Sequence, residues 1–294
     1  MSNINSNAIT RSYLDSLLVE TRYLDSTNAS TAFRLYGAEF STPIMTGALS
    51  FLDQFLYPGA SVDIARGAAS ANALFWIGMA DDDEIERCAA TGAKIVEIIK
   101  PFADRELIYR RIRHAEEQNL LAVGIDIDHP YAEDGSPDVV SGHPMKAITS
   151  GELEELCKST RLPLITKGVL SLKDAEKSLK AGVGGMLLSH HNNRIESALP
   201  PAMLLPEVVK LAGDVPVFLD GEIRSGMDVF KALALGAAAV GVGRPLMNAV
   251  QKDREHGVQN HLRQMNDGLA KVMSCTGCAD LSQVEASILH HRCF

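Results

Sequence analysis

No basic block occurs anywhere in the 294 residues, and the charges sum to 28 − 37 = −9. Phosphate neutralisation dominates nucleic-acid affinity, so such a chain makes a poor DNA or RNA binder, and a small molecule is the expected partner. Long hydrophobic runs are missing as well. The longest, Ala237 to Val242 with its neighbours, falls far short of the roughly 20 residues a bilayer span needs. The N-terminus, MSNINSNAITRSYLDSLL, is polar and carries no signal-peptide pattern. A soluble protein without a membrane partner is expected. Cysteines are few: Cys88, Cys157, Cys275, Cys278 and Cys293 are odd in number and scattered, which does not suit a secreted disulfide framework, so a reduced, cytoplasmic setting is expected. Cys275 and Cys278 form a CxxC, but no second ligand pair lies at finger or ribbon spacing. Two helix-end thiols are the simpler reading than zinc or redox use, and no metal site is expected. No Pro/Gly/Ser-rich linker divides the chain.

What is present is core material, 46% hydrophobic residues, which excludes disorder as the main state and fits one large domain or two modest ones. Apolar runs recur with amphipathic stretches between them: PIMTGAL from Pro43, ALFWIG from Ala73, KIVEII from Lys94, LLAVGIDI from Leu120, PLITKG from Pro163, GGMLLS from Gly184, VPVFLD from Val215 and AAVGVG from Ala238. Continuous runs of about six apolar residues suit strands buried on both faces. Asp or Ser stands near several helix starts and Gly at several ends, as caps require. Eight strand-then-helix units predict an α/β fold, a closed parallel TIM (β/α)8 barrel. An open doubly wound sheet is the alternative, and the missing GxGxxG after the first strand argues against it. The expected organisation is a single domain, the barrel over residues 41–294, preceded by an N-terminal helical extension over residues 1–40.

In such a barrel the chemistry belongs after the strands' C-terminal ends. Strand four ends in Asp126, Asp128 and His129, strand five in Lys167, strand six in Ser189, His190, His191, Asn192, Asn193 and Arg194, strand seven in Asp220, Gly221, Glu222 and Arg224, and strand eight in Gly243 and Arg244. A mixed ring of cations, carboxylates and imidazoles around one mouth is hard to explain as stability alone. The last two ends read as a phosphate site. Glycine lets backbone N–H groups approach an anion, Arg224 and Arg244 can fork onto its oxygens, and the helix after Pro245 offers its N-terminus. The plainer readings are a solvated loop cation for Arg224 and a helix-start residue paired with a carboxylate for Arg244.

Two segments, LITKGVLSLKDAEKSLKAGVGGMLLSHHNNR and LPEVVKLAGDVPVFLDGEIRSGMDVFKALALGAAAVGVGRPLM, closely resemble the C-terminal half of the FMN-dependent 2-hydroxy acid oxidases and dehydrogenases, the family of glycolate oxidase, lactate oxidase and mandelate dehydrogenase. The resemblance extends more weakly upstream through STPIMTGA and downstream to Gly277 and Cys278. It implies FMN as cofactor and hydride transfer from a small hydroxylated substrate to flavin N5. By the same resemblance His191 is the active-site base and Asp128 the carboxylate that stabilises its cation. Lys167 lies beside the flavin N1 and O2 edge, where a cation stabilises negative charge on the reduced ring. Arg194 clamps the substrate carboxylate, while Ser189, Asp220, Gly221, Arg224, Gly243 and Arg244 contact the ribityl chain and phosphate. A homo-oligomer, tetramer or larger, is also implied.

Read without the resemblance, His190 competes with His191, Asp128 could cap the next segment, and Arg194 could pair with Glu196 or Glu222. The pattern breaks at several places. The family's Asn-His-Gly-Gly becomes His190, His191, Asn192, Asn193; its Asp-Gly-Gly becomes Asp220, Gly221, Glu222; a strand-four threonine becomes Asp126; and its substrate tyrosine after strand three falls near Lys100. The second carboxylate-binding arginine has no counterpart between His129 and Asp134, and the loop from Tyr131 to Pro144 is short. Glu222 is expected to turn away to Arg194 or His190, or else to weaken FMN electrostatically. Two further readings stay open: an FMN-dependent isomerase resembling the type 2 isopentenyl diphosphate isomerases, and a flavin-binding barrel without turnover.

Overall fold

Eight parallel strands alternate with helices in the computed structural model, which describes residues 5–292. The first, β1, is broken: Ile44–Thr46 pairs with the last strand, and Leu49–Ser50 with the second. The others are β2 (Phe75–Gly78), β3 (Ile95–Ile99), β4 (Ala122–Asp126), β5 (Leu164–Val169), β6 (Gly185–Leu188), β7 (Val217–Leu219) and β8 (Ala239–Val242). The pairing order runs from the first half of β1 through β8, β7, β6, β5, β4, β3 and β2 to the second half of β1. Both ends of the sheet are thus parts of one strand. The amide of Thr46 also donates to Leu74 O at 3.0 Å, stitching the halves together. The expected barrel is closed.

Every strand from β2 to β8 is buried along its whole length. That is why the sequence reads as apolar runs rather than alternation. Helix starts are fixed by short polar caps: Asp81, Asp104, Ser171 and Ser225 each accept a backbone N–H in the first turn, and Thr149 with Glu152 forms a capping box. The barrel interior is filled by Met45, Trp76, Val96, Ile98, Ile165, Leu187 and Phe218. Trp76 and Phe218 meet edge to face at 5.5 Å between ring centroids, so Trp76 is core rather than part of the mouth.

The N-terminal segment differs from the helical extension expected. One helix, Ser6–Ser16, is followed by the strand Leu17–Val19 and a hairpin, Phe33–Leu35 with Ala38–Phe40. Leu35 and Phe40 join the interior cluster, and Tyr36 Oη donates to Gly184 O at 2.7 Å, so the hairpin plugs the barrel end away from the strand C-termini. Leu17–Val19 pairs antiparallel with Leu289–His291, so the two ends of the described chain share a ribbon. Among the described residues, no helix is long and apolar enough to cross a membrane.

Candidate active site

Parallel register carries the polar strand ends to one mouth. Lys167 of β5 lies opposite Asp126 of β4 and Leu187 of β6. Immediately after Lys167 the register slips at a bulge, where Gly168 takes φ +88°. A Cβ at Gly168 would stand 2.2 Å from Asp128 Cγ, so only glycine admits the Asp128 carboxylate here. Asp128 uses that space to reach His191: Nδ1 lies 2.9 Å from Oδ1 and 3.1 Å from Oδ2. With Nδ1 held as the donor, Nε2 is left as the imidazole's acceptor. His191 lines a cavity of about 510 Å³ at the mouth, within the usual size of a cofactor site.

Behind the imidazole lies a buried network of ion pairs. Lys167 Nζ donates to Asp126 Oδ1 at 2.8 Å and lies 3.3 Å from His191 Nδ1, and Lys100 donates to the other Asp126 oxygen at 2.5 Å. Burial opposes all these charges, yet Lys167, His191 and Lys100 together hold the Asp126 carboxyl well below its usual range. Burial likewise lowers Lys167, but Asp126, Asp128 and Asp220 outweigh it and raise the ammonium's pKa. Lys100 ends below its ordinary value through burial and repulsion from Lys167. Asp126, Asp128 and His191 have ligand atoms close enough to converge on a cation, and the Lys167 ammonium already stands against two of them.

The two histidines separate cleanly. His190 is buried, with Nε2 3.0 Å from Thr10 Oγ1 and Nδ1 accepting from the Asn193 amide at 3.3 Å. Both nitrogens are therefore engaged, and burial lowers its pKa. His191, Asn192 and Asn193 all take positive φ, 49°, 57° and 70°. Asparagine tolerates that conformation, and these two use it: Asn193 Oδ1 accepts from Ser6 N at 2.7 Å and Asn192 Oδ1 from Asn7 Nδ2 at 2.9 Å. The N-terminal helix thereby holds the loop that aims His191.

Arg194 lies beside the cluster with its guanidinium engaged by the loop after β4. It lies 3.0 Å from His129 Nε2 and 3.1 Å from Asp138 Oδ2, and also reaches Tyr131 O. It pairs with neither Glu196 nor Glu222. Burial, then Lys100 and Arg194, push His129 down to about 4.

The cavity is lined as well by Ser189, Asp220, Gly221, Glu222, Arg224, Gly243 and Arg244. Burial raises the Asp220 carboxyl despite Lys167 and a hydrogen bond from Ser189. Glu222 turns to neither Arg194 nor His190, the first of the two outcomes expected for it. Its two carboxylate oxygens take Arg224 and Arg244, one each. Sequence reasoning also missed Gly168, which looked like ordinary strand; a glycine directly after a strand-end lysine was the available signal.

The family model described as FMN-dependent dehydrogenase matches residues 3–149 and 133–291. Glycolate oxidase of Spinacia oleracea is 29% identical over 321 residues, covering 96% of this chain and 85% of that protein. Glycolate oxidase 3 of Arabidopsis thaliana is 28% identical, covering 95% and 85%. Among solved structures, mandelate oxidase with (S)-4-hydroxymandelic acid superposes with a TM-score of 0.88 at 26% identity, covering 99% of this chain and 91% of that one. A mandelate oxidase variant with a monooxide FMN adduct gives 0.88 at 28%, covering 99% and 92%.

Proposed function

Because this chain belongs to the FMN-dependent dehydrogenase family, we propose that it oxidises a small 2-hydroxy acid to the 2-oxo acid, with His191 as the base. The observation that carries the reading is the Asp128–His191–Lys167 cluster at the wall of the mouth cavity.

The residues present fit the flavin in most respects. Lys167 and Ser189 are buried polar groups at one side of the cavity, suited to the ring's polar edge and the ribityl chain. Gly47 and Gly243, both lining the cavity, pass so closely that a Cβ on Gly47 would lie 3.0 Å from Gly243 Cα. Gly243, Arg224 and Arg244 would hold the phosphate, and Asp220 and Gly221 also line the cavity. When bound, FMN supplies the two-electron acceptor for the substrate's α-hydrogen. His191 Nε2 takes the hydroxyl proton, and Asp128 stabilises the resulting imidazolium. Arg194 offers its guanidinium to the substrate carboxylate, which then replaces Asp138 as its partner.

None of the relatives named above is an isomerase. The barrel without turnover is separated by anaerobic mixing with a panel of 2-hydroxy acids. Bleaching of the flavin spectrum is expected, and a bound flavin that no member of the panel reduces would sink the oxidation reading. A homo-oligomer in a reduced, cytoplasmic setting completes the proposal; sedimentation and fractionation test those two parts.

A further inference from the structure

Glu222 has an unusual position for a carboxylate. Its backbone takes φ +58°, a conformation costly for a glutamate, directly after Gly221 at φ +104°. Its side chain is 3% exposed, while the Arg224 and Arg244 side chains it joins are 61% and 56% exposed. The anion therefore sits on the inner side of the arginine pair, and all three residues line the cavity. The backbone is fixed from behind, since Glu222 O accepts from Arg11 Nη1 at 2.8 Å and Arg11 is itself held by Asp228. An incoming phosphate meets one net positive charge here where an uncompensated arginine pair would offer two.

We propose that Glu222 is a built-in anion occupying the phosphate subsite, so that this chain grips the flavin through ring and ribityl chain and discriminates only weakly between FMN and riboflavin. The inference rests on the flavin reading above and deepens it: cofactor selection by charge, strong where two free guanidinium forks face a phosphate, is muted by an internal competitor. The same carboxylate keeps the arginine pair ordered when no phosphate is present.

The test is fluorescence titration of the flavin-free chain with FMN and with riboflavin, for the wild type, Glu222→Gln and Glu222→Gly. Losing the competitor frees two charge-assisted donors, so FMN is expected to bind about tenfold more tightly or better in both variants, while riboflavin changes little. The quantity read is the dissociation constant for riboflavin divided by that for FMN, expected to lie within about tenfold of unity in the wild type, and a wild-type ratio well above that overturns the proposal. A rise of about threefold or more on removing the carboxylate supports the proposal; a smaller rise, or a fall, overturns it. Glu222→Gly relieves the backbone as well, so it serves if Glu222→Gln folds poorly. FMN bound with an unchanged ratio overturns this inference alone, whereas no binding of either flavin by any of the three proteins overturns it together with the flavin reading.

Discussion

Single residues set the chemistry through what already occupies them. His191 presents one nitrogen to the cavity because Asp128 holds the other; His190 has neither to offer. His191→Gln should therefore bind flavin normally and slow anaerobic reduction by roughly 10²–10⁴-fold, as expected for a removed general base. Asp128→Asn should lose somewhat less, and stopped-flow reduction measures both. His190→Gln should instead lower stability with little effect on the reduction step; a dead His190→Gln beside a fast His191→Gln would move the base by one residue. His129 carries a pH prediction. Its folded pKa, about 4, lies below the ordinary value of about 6.5, so the unfolded chain binds the proton first on acidification. Its contribution to stability is complete above about 6.5, declines as the pH falls through that window, and is gone below about 4. Urea midpoints measured down this range should fall less steeply in His129→Gln, which keeps an acceptor for Arg194. Parallel slopes would refute the assignment.

Elements deliver these residues, and here the sequence was legible only in part. The eight strands announced themselves because burial on both faces leaves long apolar runs, and the reactive groups stood at their ends. The fracture of β1 did not, since PIMTGAL reads as one segment although its halves pair with opposite neighbours. Three-residue pairings such as Leu17–Val19 with Leu289–His291 carry no periodicity to detect. The partner of Glu222 was hidden because it depends on a left-handed backbone that nothing in its side chain advertises. Gly168 was hidden by sitting inside a strand, yet its bulge decides where Asp128 can go. Gly168→Ala should push the Asp128 carboxylate off His191, so reduction should slow about tenfold or more while the flavin spectrum of the bound cofactor stays normal. Wild-type reduction rates in that variant would deny the bulge its positioning role. The N-terminal helix has a similar duty. Arg11 pairs with the buried Asp228 at 2.8 Å and holds the Glu222 carbonyl, so Arg11→Ala should cost about 1.5–3 kcal/mol in urea unfolding for the lost charge-assisted bonds.

At the scale of the whole molecule, closure depends on contacts between residues made early and residues made late. Ile44–Thr46 pairs with Val240–Val242, and Leu17–Val19 waits for Leu289–His291. The chain must therefore extend to Val242 before its first strand has a neighbour on that side. Long-range pairing of this kind is intrinsically slow, and open sheet edges invite aggregation. A chain ending at Ala238, which lacks β8, should stay protease-sensitive and prone to aggregate, as limited proteolysis would read; a resistant, monomeric fragment would mean that the β1 to β7 arc is stable alone. During synthesis, then, the emerging polypeptide stays an incomplete arc with an exposed edge at each side until its eighth strand has left the ribosome. The segment at Val240–Val242 must leave the exit tunnel before it can meet Ile44–Thr46, which makes the emergence of the eighth strand, rather than any earlier folding event, the moment at which this barrel can become a closed object.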